Sequence, residues 1–459
     1  MYFKYILYFI LSFSSLNAML VGTPLINNDL KILREFDIDP AYLTDYNLQK
    51  NIQSYLKHTK NKYTQKLNDA YLFIPQIKKI LKENQIPSAF LYMVMAESNF
   101  ILNAHSNKKA KGLWQFMPKT AAFYGLEKNK YIDERMDIIK STKAAANYLK
   151  YLHKRFGKWY LAAIAYNCGS GRLIEGLCRA KIDAYCEDVG YKQCKKDKKI
   201  LNFRSIISQY QHKKVSFSKL KTVYKVVKNW KYDLDINRLL KVQTIVRRQY
   251  IPDESRKYLR KIITLAIMNN EDFLLKDENL HLLNRGISDP IAKIKVKGGV
   301  RLATLAQIIG LNLDKLEALN LHIRKSIIPL KKEYYTLYVP YSKLARYNAN
   351  KQLLDKTIFK SYKVKSGDNL SKIASLYGIN YKTIKKYNNL KSNMLKVGQE
   401  LIIPSYDMLK ENQNIYIVKM GDSLSKIAKK YHIAVKKLMV DNKLTTSSIK
   451  IGEKLVIKY

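Results

Sequence analysis

From Ile74 to about Asn270, apolar residues return at the spacing of one helix face, which predicts an all-α domain. Lys140-Ser141-Thr142-Lys143-Ala144-Ala145-Ala146-Asn147-Tyr148-Leu149 and Tyr160-Leu161-Ala162-Ala163-Ile164-Ala165-Tyr166 carry the pattern most plainly. Inside this domain, residues 177–245 are lysine-rich and less clearly patterned, and they read as an insertion. Upstream, Leu30 to Tyr71 is polar with scattered apolar positions and reads as helices packed on the next domain. Beyond residue 290 the pattern changes. Tyr362 and Val364 alternate as in a short strand, Leu370, Ile373 and Ala374 form a helical stripe, and Leu401-Ile402-Ile403 suits a closing strand.

This last pattern occurs twice. YKVKSGDNLSKIASLYGI from Tyr362 returns as YIVKMGDSLSKIAKKYHI from Tyr416, at a constant offset of 54. Gly367, Asp368, Leu370, Ile373, Ala374, Asn388 and Gly398 recur at Gly421, Asp422, Leu424, Ile427, Ala428, Asn442 and Gly452. An offset without insertions marks one small folding unit per copy. Each copy is expected to fold β-α-α-β, with Gly367 or Gly421 permitting the turn and Asn369 or Ser423 capping the first helix. A weaker copy precedes them: Ile294, Lys295, Val296, Gly299, Leu302, Leu305, Ala306 and Asn320 align with the first clear copy at an offset of 68. There Val300 replaces the loop aspartate. Residues 348–357 and 406–414 read as linkers.

Length and charge bound the partners. At 459 residues the chain has room for several domains, and 47% apolar content supports packed cores. Met1 to Ala18 has the form of a secretory signal: Lys4, an apolar run from Tyr5 to Phe13, then Leu16-Asn17-Ala18 before a cut. The run is short for a membrane span, although retention as an uncleaved anchor stays open. No cysteine precedes Cys168, so the usual lipid-attachment position is missing. The net charge of +46 raises the question of nucleic acid. The lysines are spread along the whole chain, however, and no nucleic-acid-binding motif is present. An anionic envelope suits an exported basic protein better, and a lysine-rich genome would give the same charge. Cys168, Cys178, Cys186 and Cys194 allow three pairings, and a local disulfide among the last three is expected.

The candidate chemistry lies between Ile86 and Pro118. Pro87 suits a helix start, and Leu91, Val94 and Met95 give the helix an apolar face. Glu97 falls near its C-terminal end, before Ser98-Asn99. A helix C-terminus and apolar company both disfavour an anion, so this carboxyl should stay protonated to higher pH than usual. Such a group is a general acid for glycosidic cleavage. A surface glutamate at a helix end is the plain alternative.

The motifs around it settle the expectation. Glu97-Ser98, Ser106, Gly112-Leu113-Trp114-Gln115-Phe116-Met117-Pro118, Ala165-Tyr166-Asn167, Gly169, Gly171-Arg172 and Ile251-Pro252-Asp253-Glu254-Ser255-Arg256-Lys257-Tyr258 occur in this order. Together they resemble the lytic transglycosylases, whose fold is related to goose-type lysozyme. The tail repeat resembles LysM, a module that binds the N-acetylglucosamine part of peptidoglycan and chitin. The combination resembles the membrane-bound lytic murein transglycosylase D type. This resemblance implies an all-α lysozyme-like domain followed by small α+β modules. It implies cleavage of the MurNAc-GlcNAc bond with a 1,6-anhydro product, Glu97 as the catalytic acid, and peptidoglycan strands as the partner.

The same resemblance assigns substrate contacts to Ser106, Gln115, Met117, Tyr166 and Asn167, with Tyr258 orienting Glu97. Gly112 and Trp114 read as structural, for a close turn and a filled core. In the modules it points to Asp368, Asn369, Leu370, Met394 and Leu395, and to Asp422, Ser423, Leu424, Ser448 and Ile449. Asp368 and Asp422 also have a plain reading as turn formers. The chain departs from the family at Lys109-Ala110, where Gly-Ala is usual, and at Cys168, where Ala is usual.

The expected boundaries are a signal at 1–18, an N-terminal helical region at 19–72 and a catalytic domain at 73–285. A degenerate module at 290–345 and LysM modules at 360–405 and 414–459 follow. No cofactor and no metal are expected, the location is the periplasm or its envelope, and the oligomeric state is left open with a monomer as default. Two competing readings are a hydrolytic muramidase, with Asp133, Glu134 or Asp137 as second carboxylate, and a non-catalytic wall-binding protein.

Overall fold

The computed structural model describes residues 27–58, 66, 70, 72–242, 249–268, 291–404, 413–431, 433–442 and 444–458. The expected signal, most of the second linker and the end of the expected catalytic domain lie outside these residues. The chain divides into two compact units. One takes the described residues before Lys128 and those from Glu134 to Met268; the other takes Lys128–Asp133 and the described residues from Ile291 onward.

The first unit is helical. Its helices are α1 (Asn27–Glu35), α2 (Tyr46–His58), α3 (Ile74–Glu83), α4 (Leu91–Ser98), α5 (Pro118–Phe123), α6 (Ile138–Phe156) and α7 (Trp159–Cys168). They continue as α8 (Ser170–Val189), α9 (Tyr191–Cys194), α10 (Lys198–Gln211), α11 (Phe217–Val227), α12 (Ile236–Leu240) and α13 (Asp253–Met268). Helix α7 is the pivot. Tyr160 to Ala165 are buried without interruption, as expected of a helix that is apolar all round. It packs against α6, α8 and α13, and α13 also packs on α4. The two helices that bear Glu97 and Tyr258 are thereby held side by side.

Local signals explain the element ends. Asp137 caps α6 by accepting from the amides of Ile139 and Lys140 at 3.0 and 2.8 Å, and Gly157 ends it in the left-handed region at φ 77°. The N-terminal helices contribute Leu33, Phe36, Leu48, Ile52 and Tyr55 to buried positions, and α2 packs on α13. The stretch read as a weakly patterned insertion is regular helix. Helix α8 runs unbroken into it, and α10 and α11 bury Ile200, Phe203, Ile207, Leu220, Val223 and Val227. Its lysines occupy the solvent faces and hide the stripe. Cys186 and Cys194 form a disulfide with Cα atoms 5.2 Å apart, while Cys178 is buried and Cys168 half-exposed, both as thiols.

The second unit holds three modules of one plan. The strand pairs are β1 (Ile291–Lys297) with β2 (Tyr334–Pro340), β3 (Lys360–Lys363) with β4 (Glu400–Ile403), and β5 (Gln413–Ile417) with β6 (Lys454–Lys458), all antiparallel. Two short helices lie between the strands of each pair: α14 (Leu302–Ile309) and α15 (Leu313–Leu319), then α17 (Leu370–Leu376) and α18 (Tyr381–Tyr387), then α19 (Leu424–Lys430) and α20 (Val435–Asp441). Helix α16 (Leu344–Asn350) follows β2.

One asparagine per module fastens the last strand to the second helix. Asn388 receives a bond from the Ile402 amide at 2.7 Å and donates to the Ile402 and Ile384 carbonyls, both at 2.8 Å. Asn442 does the same for Val456 and Leu438, and Asn320 for Tyr338 and Leu316.

The first module departs from the other two. Val300, in place of the aspartate, is fully buried. The core also takes in Tyr131 and Ile132, and the Arg324 amide donates to the Tyr131 carbonyl at 2.7 Å. The segment read as a linker is part of this core as well. Tyr347 and Leu354 are buried, and the Tyr347 hydroxyl donates to the Lys295 carbonyl at 2.6 Å. Polar residues between these two anchors gave it the look of a linker.

Removing the asparagine clasp leaves strand and helix groups unpaired at once. Asn388→Ala is expected to destabilise its module by about 2–3 kcal/mol, read as an earlier unfolding step in a denaturant titration of the full chain, with Asn442→Ala behaving alike.

Candidate active site

Glu97 sits in the last turn of α4, just before Asn99 ends the helix in the left-handed region at φ 50°. The preceding turn is apolar, with Met93, Val94 and Met95 fully buried. As a residue Glu97 is half-buried. Its Oε1 accepts a hydrogen bond from the Tyr258 hydroxyl at 2.6 Å. Burial pushes the carboxyl up to about 7, against the opposing pull of the Tyr258 bond and of Lys261 and with a smaller upward push from Glu254. The Tyr258 phenol is itself held well above its ordinary value, first by burial and then by Glu97. Tyr258 therefore remains the donor throughout the neutral range.

Around the acid, the loop from Ala104 to Met117 is tied by its own backbone. Ser106 Oγ accepts from the Ala110 amide at 3.1 Å, and the Lys109 amide donates to the Ser106 carbonyl at 2.9 Å. Lys109 adopts φ 70°, a backbone suited to the family's glycine, and its carbonyl accepts from Arg135 at 2.9 Å. Gly112 is obligatory: a Cβ there would lie 1.8 Å from the Arg135 carbonyl oxygen. Trp114 is fully buried and donates through Nε1 to Thr142 at 3.0 Å. Gln115, at φ 45°, donates to the Ala104 and Gly112 carbonyls at 3.1 and 2.8 Å. Met117 is 43% exposed.

Helix α7 brings the second group of residues. The Tyr166 hydroxyl donates to the Trp114 carbonyl at 2.7 Å, and its phenol is raised well above the ordinary value by burial and then by Glu97. Asn167 accepts from Ser255 at 2.6 Å, which links the end of α7 to the first turn of α13. Glu97, Tyr166 and Tyr258 thus form one electrostatically coupled group, while Ser106 and Gln115 belong to the neighbouring loop.

Two supporting residues escaped the sequence reading. Lys261 Nζ donates to the Ala96 carbonyl at 3.0 Å, and Ser255 positions Asn167. Both lie three residues from Tyr258 on α13, so the helical period of that segment was the available signal. The carboxylates considered for a water-activating role are otherwise engaged. Asp137 is the α6 cap; Glu134, buried, pairs with Lys140 and accepts from the Glu127 amide at 2.9 Å; Asp133 is buried in the other unit. Elsewhere in the helical unit a cavity is lined by Arg179, Asp183, Glu187, Arg204 and Arg238, whose charges are mostly spent on one another: Arg204 pairs with Asp183 and Arg238 with Glu187. Among the described residues, no cluster of His, Cys, Asp and Glu suits a metal.

In the modules, Asp368 accepts from the Lys365 amide at 2.7 Å and the Tyr362 hydroxyl at 2.8 Å, and these bonds hold its carboxyl below the usual range. Asp422 repeats this with Tyr416 at 2.6 Å and Lys419 at 2.8 Å, again with a lowered carboxyl. Asn369 and Ser423 cap α17 and α19, accepting from Lys372 and Lys426. Leu370 and Leu424 are buried, and Leu395 and Ile449 pack on the module cores. Met394 stands 86% exposed, and Ser448 is exposed too. Val397 and Ile451, equivalent across the repeat, are exposed apolar residues that sequence reasoning passed over.

Glu97→Gln separates stability from catalysis. The carboxyl titrates near 7 when folded and 4.5 ordinarily, so the folded state binds the extra proton between these values. Stability linked to this group is lost as pH rises through 7. The melting temperature of Glu97→Gln relative to the parent is therefore expected to climb from pH 4.5 to 7 and level off above it, as thermal melts across that range would show.

Comparison with known proteins identifies the domains that carry these groups. Residues 75–185 match the Transglycosylase SLT domain, 291–356 the Lytic transglycosylase MltD, LysM-like domain, and 362–404 and 416–458 the LysM domain. The membrane-bound lytic murein transglycosylase D of Escherichia coli K12 is 27% identical over 397 residues, covering 82% of this chain and 74% of the relative. The cell wall-binding protein YocH of Bacillus subtilis is 37% identical over 22% of this chain and 34% of its own length. An autolysin of Enterococcus faecalis is 34% identical over 21% of this chain and 15% of its own. The chain thus carries an SLT domain, an MltD-type LysM-like domain and two LysM domains in this order, the make-up of an MltD-like lytic transglycosylase of peptidoglycan.

Proposed function

We propose that Glu97 alone serves as acid and then base in a non-hydrolytic cleavage of the MurNAc-GlcNAc bond. The observation that carries this is a carboxyl poised near 7 by burial, with one phenol holding its orientation. Protonated Glu97 gives its proton to the glycosidic oxygen as the bond to the muramic C1 breaks. Positive charge develops at C1. The sugar's own C6 hydroxyl attacks C1, and its proton passes to the Glu97 carboxylate. The product carries a 1,6-anhydro ring, no water is consumed, and Glu97 ends as it began.

Ordinary glycosidases need a second carboxylate to activate water or attack the sugar. Tethering the nucleophile within the substrate removes that need. The engagement of Asp137 and Glu134 elsewhere favours this route over hydrolysis.

In this reading Tyr258 fixes the carboxyl, and Tyr166, Asn167, Ser106, Gln115 and Met117 border the bound strand. In the LysM modules the capped loops at Asp368–Leu370 and Asp422–Leu424 present backbone groups to the sugar, since their aspartates already hold the turn. Met394 and Leu395, with Ser448 and Ile449, close the groove. Two weak modules on one chain raise the local concentration of wall around the catalytic unit. The protein is exported to the periplasm and works there as a monomer on the envelope. Among the described residues no helix is long and apolar enough to cross a membrane.

Digestion of purified sacculi tests the reaction. Mass spectrometry is expected to find anhydro ends with the parent protein, and none with Glu97→Gln, whose sacculus pelleting stays unchanged. Reducing ends would establish hydrolysis instead. Tyr258→Phe removes an influence that lowers the Glu97 pKa. The alkaline limb of kcat, expected near pH 7, should therefore move upward in that variant.

A further inference from the structure

Four aromatic rings succeed one another outward from the acid. Tyr166 is near enough for its phenol to feel the Glu97 charge. Its ring centroid lies 5.1 Å from that of Tyr148, Tyr148 lies 5.0 Å from Tyr124, and Tyr124 lies 5.1 Å from Phe123. The first two pairs are tilted by 38° and 37°, and the last meets edge-on at 77°. Exposure increases along this row. Tyr166, Tyr148 and Tyr124 are half-buried, whereas Phe123, at the end of α5, is 81% exposed.

Packing within the fold does not account for the outer part of the row. A phenylalanine that open to solvent adds almost nothing to the core, and an exposed ring continued inward by half-buried ones offers a surface for recognition. The hydroxyls point the same way. Tyr166 spends its own on the Trp114 carbonyl, but those of Tyr124 and Tyr148 have no hydrogen-bond partner among the described residues. Burial holds both phenols above their ordinary value, Tyr124 at about 12, so they stay protonated and able to donate.

We propose that Phe123, Tyr124 and Tyr148 form a stacking strip that holds a sugar of the glycan strand beyond those flanking the cleaved bond. A pyranose in a β-1,4-linked strand shows axial C–H groups on its faces and hydroxyl or acetamido groups at its rim. The faces match aromatic rings, whose quadrupole favours the weakly positive C–H groups, and the rim matches free phenols. The strip is continuous with the acid through Tyr166, so a strand lying across Glu97 would run onto it. The proposal deepens the reading of the substrate given above and rests on it.

Peptide-free glycan fragments of two lengths, a tetrasaccharide and unfractionated long strands, test the strip with the full chain. The parent is expected to favour long strands in kcat/KM. Phe123→Ala and Tyr124→Ala should each cut the long-to-short ratio by about tenfold, about 1.4 kcal/mol, and Tyr148→Phe by about threefold. An unchanged ratio overturns the proposal, including the case in which a variant loses activity equally on both lengths, as a packing defect would cause. Absence of anhydro ends with the parent would strike instead at the assigned reaction. The same ratio, measured as Kd on Glu97→Gln, would still decide the strip.

Discussion

A carboxyl group largely shielded from water is the constraint on which the candidate site depends. Taking Glu97 out of solvent favours its neutral form, while the Tyr258 hydroxyl and the Lys261 charge favour the anion. Neither side wins outright, and the group is balanced near 7, where it can both give and recover a proton. That balance demands rigid surroundings. Helix α4 supplies the acid, α13 supplies the phenol, and both positions derive from α13 packing on α4 and on the buried α7. The long buried run from Tyr160 to Ala165 therefore supports the carboxyl at a distance.

The direction of the Tyr258 bond adds a second constraint. With its phenol held far above neutral, Tyr258 keeps its proton and donates it to Glu97 Oε1. In the proposed reaction the other carboxyl oxygen would carry the transferred proton. Lys261 works one step removed: its ammonium binds the Ala96 carbonyl and acts on Glu97 through space. The last turn of α4 is thus held from one face of α13 by two side chains three residues apart.

Much of this was legible in the residues. A glutamate after Leu91, Val94 and Met95 and before Asn99 pointed to a dry helix end, and the repeat at an offset of 54 fixed the plan of the last two modules, caps included. Other features resisted for physical reasons. Lysines on the outward faces of α10 and α11 diluted the apolar stripe, so a packed helical layer looked irregular. Tyr347 and Leu354 stand in a stretch without a regular apolar period, and only the fold reveals that each fills the first module's core. Disulfide choice depends on geometry: Cys186 and Cys194 face each other across the turn between α8 and α9, while Cys178, about two turns back along α8, stays a buried thiol. Lys261 and Ser255 act through contacts with elements distant in sequence; helical period places them beside Tyr258 but does not name what they meet.

The asparagine clasp has a consequence for how such a tail can change. Because Asn320, Asn388 and Asn442 each close their own module from within, the loop opposite is free to vary without unravelling the strand pair. The first module has taken that freedom furthest, trading its polar turn for a buried valine and keeping the fastening intact. Copies of this kind can be duplicated, lost or retired from sugar recognition one at a time, so inheritance can tune the grip on the wall in whole-number steps while each surviving copy keeps its shape.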